Sequence, residues 1–442
     1  MKHINASGSR FYRALVLTNV LLAATIQTRG QVFQELYAFG SISTNGNSPQ
    51  GALVEGNDGD FYGTCEAGGQ PTTNYPAGGY GTVFKVTARG VLTTMAWFNG
   101  TNNGRYPFGG MIQATDGNFY GDSDRGLFKI TPQAALTQMP GGSLGDPIQG
   151  TNGYLYSGNP DAGVIAWYSL SGSTVGFVDP PGTLSGGLIQ ASDGNFYGLT
   201  SDGGTYGYGT AYKLTPTGAL TTLVSFGGNP IGSKPAWPYG KMLQASDGNL
   251  YGVDANGAGG QVFKLTLSGT LTAFAEFGIT DQGQDPNGGL IEANDGNFYG
   301  TTSEGGNVGG GQGTVFQIAP AGHISTLFSF TYNGAVPGSG PMAGLIQGGD
   351  GNLYGACAYG GDYGGGNIFR IVMPGPQLNS SRSGQQLVIS WRTNYAGYTL
   401  QSCSNLSFST WSDVTNSATP AGGQFFVTNT LNPGAGFFRL KK

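Results

Sequence analysis

The sequence predicts an all-β protein: a seven-bladed β-propeller closed by its own N-terminal strand, followed by a small β-sandwich-like C-terminal domain. Three observations carry this. A short motif recurs at a blade-sized period, each repeat divides into four strand-like runs, and the last repeat lacks one strand that the N-terminal segment resembles.

The motif reads DGDFYG at Asp58, DGNFYG at Asp116, Asp193 and Asp295, and DGNLYG at Asp247 and Asp350. A worn seventh copy, NGYLYS, starts at Asn152. The steps are 58, 36, 41, 54, 48 and 55 residues, the span of one blade or solenoid turn. In the repeat from Gly186 to Phe226, the runs Leu188–Ala191, Asn195–Thr200, Thr210–Thr215 and Leu220–Phe226 partly alternate apolar and polar residues, as strands do. They are named a, b, c and d. Asp193-Gly194 between a and b suits a two-residue type I′ turn. At Pro216-Thr217-Gly218, Pro fixes φ and Gly accepts the left-handed region. Beyond the N-terminus no window carries a helical apolar stripe.

The last copy, 343–374, has runs a, b and c only. Val32–Phe39 resembles the d run that ends at Phe226, so it is expected to complete the seventh blade and remove an open edge. A solenoid has no reason to split one repeat between its two ends.

With 83 glycines, 12% aromatic and 10% charged residues, the chain reads as loop-rich all-β and not as disordered. Residues 1–30 read as a secretory signal: Lys2, Arg10 and Arg13, then apolar Ala14–Ile26, with cleavage near Gly30. That stretch is too short to span a bilayer, and nothing later could. No Cys follows it, so no lipid anchor is expected. Residues 1–30 hold four basic and no acidic residues, so their removal takes the net charge from −5 to −9. An acidic chain without a basic patch argues against nucleic acid and anionic membrane as partners. The expected location is secreted: extracellular, cell surface or periplasm.

Cys65 and Cys357 each lie seven residues after their motif Asp, at equivalent places in blades 1 and 7. A disulfide there would staple the ring. Equivalent points on adjacent blades are about 10 Å apart, beyond disulfide reach without bending, so filling one packing niche is the favoured role.

The expected domains are a signal peptide at 1–30, the propeller at 31–374, a linker at 375–376 and a sorting or anchoring β-sandwich at 377–442. The last has strand-like runs at Gln386–Trp391, Tyr398–Ser402, Phe425–Thr430 and Gly436–Leu440, with Trp391, Tyr398, Leu400, Trp411 and Phe426 as its expected core. The unit GGLIQASDGNFYGLTSDGGTYGYGTAYKLTPTGALTTLVSF is similar to the GloVer-type tandem repeat of secreted bacterial proteins. The tail YTLQSCSNLSFSTWSDV…FFRL resembles a fibronectin-type tail. The resemblance implies export and surface attachment, and no reaction. Blades 2 and 3 depart from it, with short b–c loops at Gly121–Gly126 and Ser157–Gly163 and Asn152 in place of Asp.

In a propeller the b–c and d–a loops share one face. Here they are long and varied, whereas the a–b and c–d turns are tight, and binding usually lives on varied loops of a rigid scaffold. The loops expose aromatic and polar side chains side by side, as sugar rings and protein partners both require. The expected ligand-binding residues are Tyr206, Tyr208, Trp237, Tyr239, Tyr106, Tyr363, Asp202, Glu304 and Glu66. The expected partner is an extracellular glycan, with protein as the alternative, for a monomeric propeller. No cofactor or metal is expected, because Asp-Gly-Asn lacks the oxygen series of a calcium loop. The sequence also resembles, in blade order, the propeller lyases that open cyclic antibiotic esters, which rely on a central His. Here His323 falls in a c–d turn on the opposite face. A carboxylate-dependent hydrolase or lyase built on Glu66, Asp202 and Glu304, expected at equivalent b–c loop positions, is the enzymatic alternative. A structural adhesion module is the third reading.

Overall fold

A computed structural model describes residues 15–17, 31–71, 78–107, 109–139, 145–159, 163–227, 237–254, 259–278, 282–306, 311–331, 337–383, 386–392, 398–403, 411–422, 424–430 and 436–441. The regular elements among them are strands, apart from one 3-10 turn at Ser43–Asn45. Among the described residues no helix is long and apolar enough to cross a membrane. The chain forms two compact units, one of residues 31–293 and 297–372, the other containing 373–442.

The larger unit holds seven antiparallel sheets among its described residues, each ordered a-b-c-d. In the fourth, a is Leu184–Gln190, b Phe196–Thr200, c Thr210–Leu214 and d Leu220–Ser225. Strand b is buried at every residue, because neighbouring sheets cover both of its faces. Strand a is bulged: Ser185 pairs with Leu199, yet Ile189 pairs with Tyr197, and Gly186-Gly187 sit in the bulge. In the seventh sheet the fourth strand is Val32–Ala38, paired antiparallel with Asn367–Val372 from Val32↔Val372 to Ala38↔Asn367.

Three sets of contacts recur between successive sheets, and each set also joins the seventh to the first. At the turn end, the side chain that closes strand a accepts an N–H from the previous a–b turn. Asn57 donates to Gln113, Thr115 to Gln149, Thr151 to Gln190, Ser192 to Gln244 and Ser246 to Glu292, all within 2.8 Å. Gly349 donates to Glu55 at 2.7 Å. In the middle, motif rings stack across the sheets: Tyr62 on Phe119 at 4.0 Å, Tyr156 on Phe196 at 4.0 Å, and Tyr354 on Phe61 at 3.9 Å. At the loop end, a Pro of one sheet covers a left-handed Gly of the sheet before it. A Cβ on Gly81 would lie 2.5 Å from Pro107 Cδ, and one on Gly366 would lie 2.8 Å from Pro49 Cδ, so only Gly fits there.

The motif now has a mechanical reading. Asp193 Oδ1 accepts the Asn195 N–H, while Oδ2 accepts from Asn195 Nδ2, Tyr197 Oη and Lys213 Nζ. Partial burial works to raise this carboxyl, but bonds from Asn195, Tyr197 and Lys213 outweigh it and hold the pKa near 2. Asp116 and Asp247 have the same partners in kind, Asp58 keeps the Tyr62 and Lys85 bonds but has Asp60 in place of the Asn, and all three are also lowered. The two-residue type I′ turn expected here is not what forms. Gly194 N–H bonds to Ala191 C=O, and only Gly194 has positive φ. The loop is therefore three residues, a type I turn followed by a left-handed Gly, because Asp193 stays right-handed to reach Asn195.

Cys65 and Cys357 are free and buried. They end strand b where the fourth and sixth sheets have Thr200 and Thr302. No disulfide joins them, and both fill one packing niche. At the same seam Asn367 Nδ2 donates to Glu35 Oε2 at 2.7 Å. Burial pushes the Glu35 carboxyl up; the Asn367 bond lowers it and Asp362 raises it again, for a net rise. A raised folded pKa favours the protonated form, so its stabilising contribution holds below about pH 4 and is lost as pH rises. Glu35→Gln is therefore expected to melt higher than the wild type at pH 8 and level with it at pH 4. Thermal melts at the two pH values check this, and equal melting at pH 8 would contradict it.

In the smaller unit, one sheet pairs Asn379–Ser383, Gln386–Arg392, Gln424–Thr430 and Thr419–Ala421 in order. A second contains Leu15–Leu17, Gly436–Lys441, Thr399–Cys403 and Ser412–Asp413. The rest of residues 1–30 lies outside the described residues. Leu387, Ile389, Trp391, Leu400, Val427, Phe438 and Leu440 form one core. Of the expected core, Trp391 and Leu400 are buried and Tyr398 packs beside them. Strand alternation turns Val427 inward in place of Phe426. Trp411 instead carries the Arg439 guanidinium 4.3 Å above its ring.

Candidate functional site

The first strands of successive sheets approach backbone to backbone. A Cβ on Gly51 would lie 2.3 Å from Gly109 O, one on Gly186 2.2 Å from Gly240, and one on Gly344 2.1 Å from Gly288 O. These strands therefore converge, and their Gly-Gly pairs permit it. Register aligns them, since Val54, Ile112, Ile148, Ile189, Leu243, Ile291 and Ile346 each pair with their sheet's motif Tyr or its equivalent. Four residues before these, toward the long loops, stand Gln50, Ser185, Tyr239, Asn287 and Met342. Six before, Ser48, Tyr106 and Asp285 hold φ of 54°, 51° and 55°, and Gly340 holds 58°. Each precedes a Pro, which disfavours compact backbone in the residue before it. Strain of this kind costs on the order of 1–3 kcal/mol per residue and persists only where the surroundings impose it.

Among the expected site residues, the fourth and fifth sheets bring a group together. Tyr208 meets Trp237 edge to face at 5.9 Å. Trp237 and Tyr239 lie on the same side of one strand, and Tyr206 precedes Tyr208 by two residues. Tyr206, Trp237 and Tyr239 are 52%, 41% and 51% exposed. Pro238, between the last two, is buried, so the strand is anchored while both rings stay open to solvent. Tyr363 is also exposed, in the loop of the seventh sheet beside exposed Tyr359. Tyr106 is different: it is half-buried, edge-on to Tyr80 at 6.0 Å and covered by Arg105 at 5.5 Å. Tyr75 and Tyr332 lie outside the described residues.

The three carboxylates do not form a working pair. Asp202 accepts from Thr183 N–H and Thr183 Oγ1, both at 2.7 Å, and these bonds lower its pKa. Glu66 accepts from Gln50 Nε2, and Glu304 is exposed. Glu66 is also out of register. It follows Cys65, the last residue of strand b, directly, whereas Asp202 and Glu304 come two residues after the matching Thr200 and Thr302. The residue that matches them is Ala67, and one step along a strand turns a side chain to the other face. His323 is exposed in the turn between Thr314–Ile318 and Ile324–Ser329. Among the described residues no group of three or more His, Cys, Asp or Glu is placed to hold a metal.

Sequence reasoning missed Asp146 and Lys241. Two residues before the register positions, the other five inner strands carry Ala52, Gly110, Gly187, Gly289 and Gly344. Alignment of the repeats on the Gly-Gly-Leu-Ile-Gln run would have exposed the two departures.

Strands ordered a-b-c-d in repeated sheets, with inner strands converging, define a propeller-like repeat protein. The model of the Gloeobacter/Verrucomicrobia repeat matches residues 183–417, and the chain belongs to that family. Solved structures similar to it share the fold. A streptogramin B lyase is 16% identical, with a TM-score of 0.56 over 78% of this chain and 98% of the other. A catalytically inactive virginiamycin B lyase from Staphylococcus aureus, with quinupristin, is also 16% identical, at 0.54 over 78% and 99%. The extracellular domain of a putative hybrid two-component system from B. thetaiotaomicron is 11% identical, at 0.52 over 93% of this chain and 55% of that one. No curated protein matches the chain.

Proposed function

We propose that the chain is a secreted, seven-bladed propeller, closed by strand 32–38, that binds an extracellular glycan at its long-loop end. The observation that carries this is the exposed group Tyr206, Trp237 and Tyr239, anchored by buried Pro238 and by the Tyr208 contact. Exposed rings on a rigid scaffold offer stacking area at low entropic cost. Strained backbone at the same rim supports a functional end, while the turn end is consumed by links between sheets. Binding is favoured over catalysis because Asp202 and Glu66 are engaged by their own neighbours.

The test is a glycan array probed with residues 31–442. Wild-type protein is expected to bind a subset of glycans, and a Tyr206/Trp237/Tyr239 triple alanine variant to lose them at unchanged melting temperature. Absence of wild-type binding to every glycan would remove carbohydrate and move the reading to a protein partner.

A further inference from the structure

Most of the inner-strand level two residues below Tyr239 is lined by backbone. Five of its seven positions are Gly or Ala, and the other two are Asp146 and Lys241, in the sheets on either side of Gly187. A Cβ built on Gly187 would lie 3.1 Å from Asp146 Cβ and 3.6 Å from Lys241 Cδ. The two side chains therefore flank one small space. Asp146 Oδ1 accepts the Gly110 N–H at 2.6 Å. Asp146 Oδ2 and the Lys241 ammonium have no hydrogen-bond or ion-pair partner among the described residues. Lys241 and Asp146 are each only partly buried, so the ammonium and the second carboxylate oxygen remain open to an incoming hydroxyl.

We propose that this space is a subsite for the end of a glycan chain. Lys241 donates to one hydroxyl of the terminal sugar, and Asp146 Oδ2 accepts from its neighbour. The inference rests on the carbohydrate reading above and specifies which part of the glycan is read. The charge pair decides the chemistry. A carboxylate or phosphate would meet Asp146 as well as Lys241, and the two fields oppose. Vicinal hydroxyls present an acceptor and a donor side by side and satisfy both groups. Geometry decides the polarity of entry. Backbones converge at this level, so a chain end enters where an internal stretch does not. Tyr239, two residues nearer the rim on the same strand, is placed to stack on the next ring. Desolvation lowers the Lys241 pKa and Asp146 raises it, with a net fall.

The test is an array of linear oligosaccharides, each printed twice, once free and once with every hydroxyl of its non-reducing-end sugar O-methylated. Residues 31–442 are expected to bind free forms and to lose the capped ones. Lys241→Met keeps the stem and removes the charge. It is expected to bind the free forms about ten- to a hundredfold more weakly, the effect of one charge-assisted hydrogen bond, with an unchanged or higher melting temperature. Asp146→Asn, which still accepts from Gly110, is expected to weaken binding similarly. Equal binding of capped and free forms overturns the subsite and leaves the carbohydrate reading standing, as does a Lys241→Met variant that binds like the wild type. No wild-type binding to any glycan overturns both.

Discussion

Deletion of residues 31–39 is expected to abolish cooperative folding of the larger unit. The strand Val32–Ala38 pairs along its length with Asn367–Val372, and Phe33 packs against Phe328, Phe330 and Phe369 at 5.4–5.9 Å. Phe39 is fully buried in the cluster that joins the seventh sheet to the first, with Phe61, Phe84 and Tyr354. Loss of one such ring costs about 3–5 kcal/mol. A domain has only about 5–15 kcal/mol in total, and the deletion also leaves Asn367–Val372 as an open edge. Circular dichroism melts and dye binding should show a broad, non-cooperative transition and association through the exposed strand. A deletion variant that melts sharply near the wild-type temperature would mean that the ring does not depend on this strand.

Tyr62→Ala is expected to destabilise the fold by about 3–5 kcal/mol, and Tyr62→Phe by about 1–2 kcal/mol. The ring of Tyr62 is 2% exposed and stacks on Phe119 of the next sheet, while its hydroxyl donates to Asp58 Oδ2 at 2.8 Å. The two substitutions separate stacking from the hydrogen bond, and equal losses would show that stacking between sheets is not the larger part. The same network makes the protein acid-sensitive. Asp58, Asp116, Asp193 and Asp247 are all held below the usual carboxylate range. A lowered folded pKa contributes stability above the unfolded value near pH 4, and that stability is lost as pH falls toward 2. The melting temperature is expected to drop across that window, by less in Asp193→Asn. A flat profile from pH 4 to 2 would contradict the assignment.

The architecture was legible because identical physical problems recur. Every sheet needs a tight a–b turn, a buried strand b and a side chain to hold its neighbour, so Gly and Tyr return at each copy and Asp at six of the seven. The split seventh repeat was readable for the same reason, since Val32–Phe39 matches a d strand. The turn type was not, because Asp-Gly alone does not say whether Asp193 itself takes positive φ. The site was legible only in part. Exposed Tyr206, Trp237 and Tyr239 follow from aromatic-rich loops, but Tyr106 sits in a similar loop and is packed under Arg105. Loop composition does not separate the two cases. Asp146 and Lys241 escaped notice because they signal only by replacing Gly in an aligned repeat.

The central claim is that the loop end binds and the turn end holds the ring together. Binding to one glycan array by three forms of residues 31–442 tests it most directly: wild type, Tyr206/Trp237/Tyr239 to alanine, and Thr217→Ala with His323→Ala on the exposed c–d turns. The account predicts that wild type and the turn-end variant bind the same glycans and that the loop-end variant binds none of them. Loss of binding in the turn-end variant, with the loop-end variant unaffected, would contradict it.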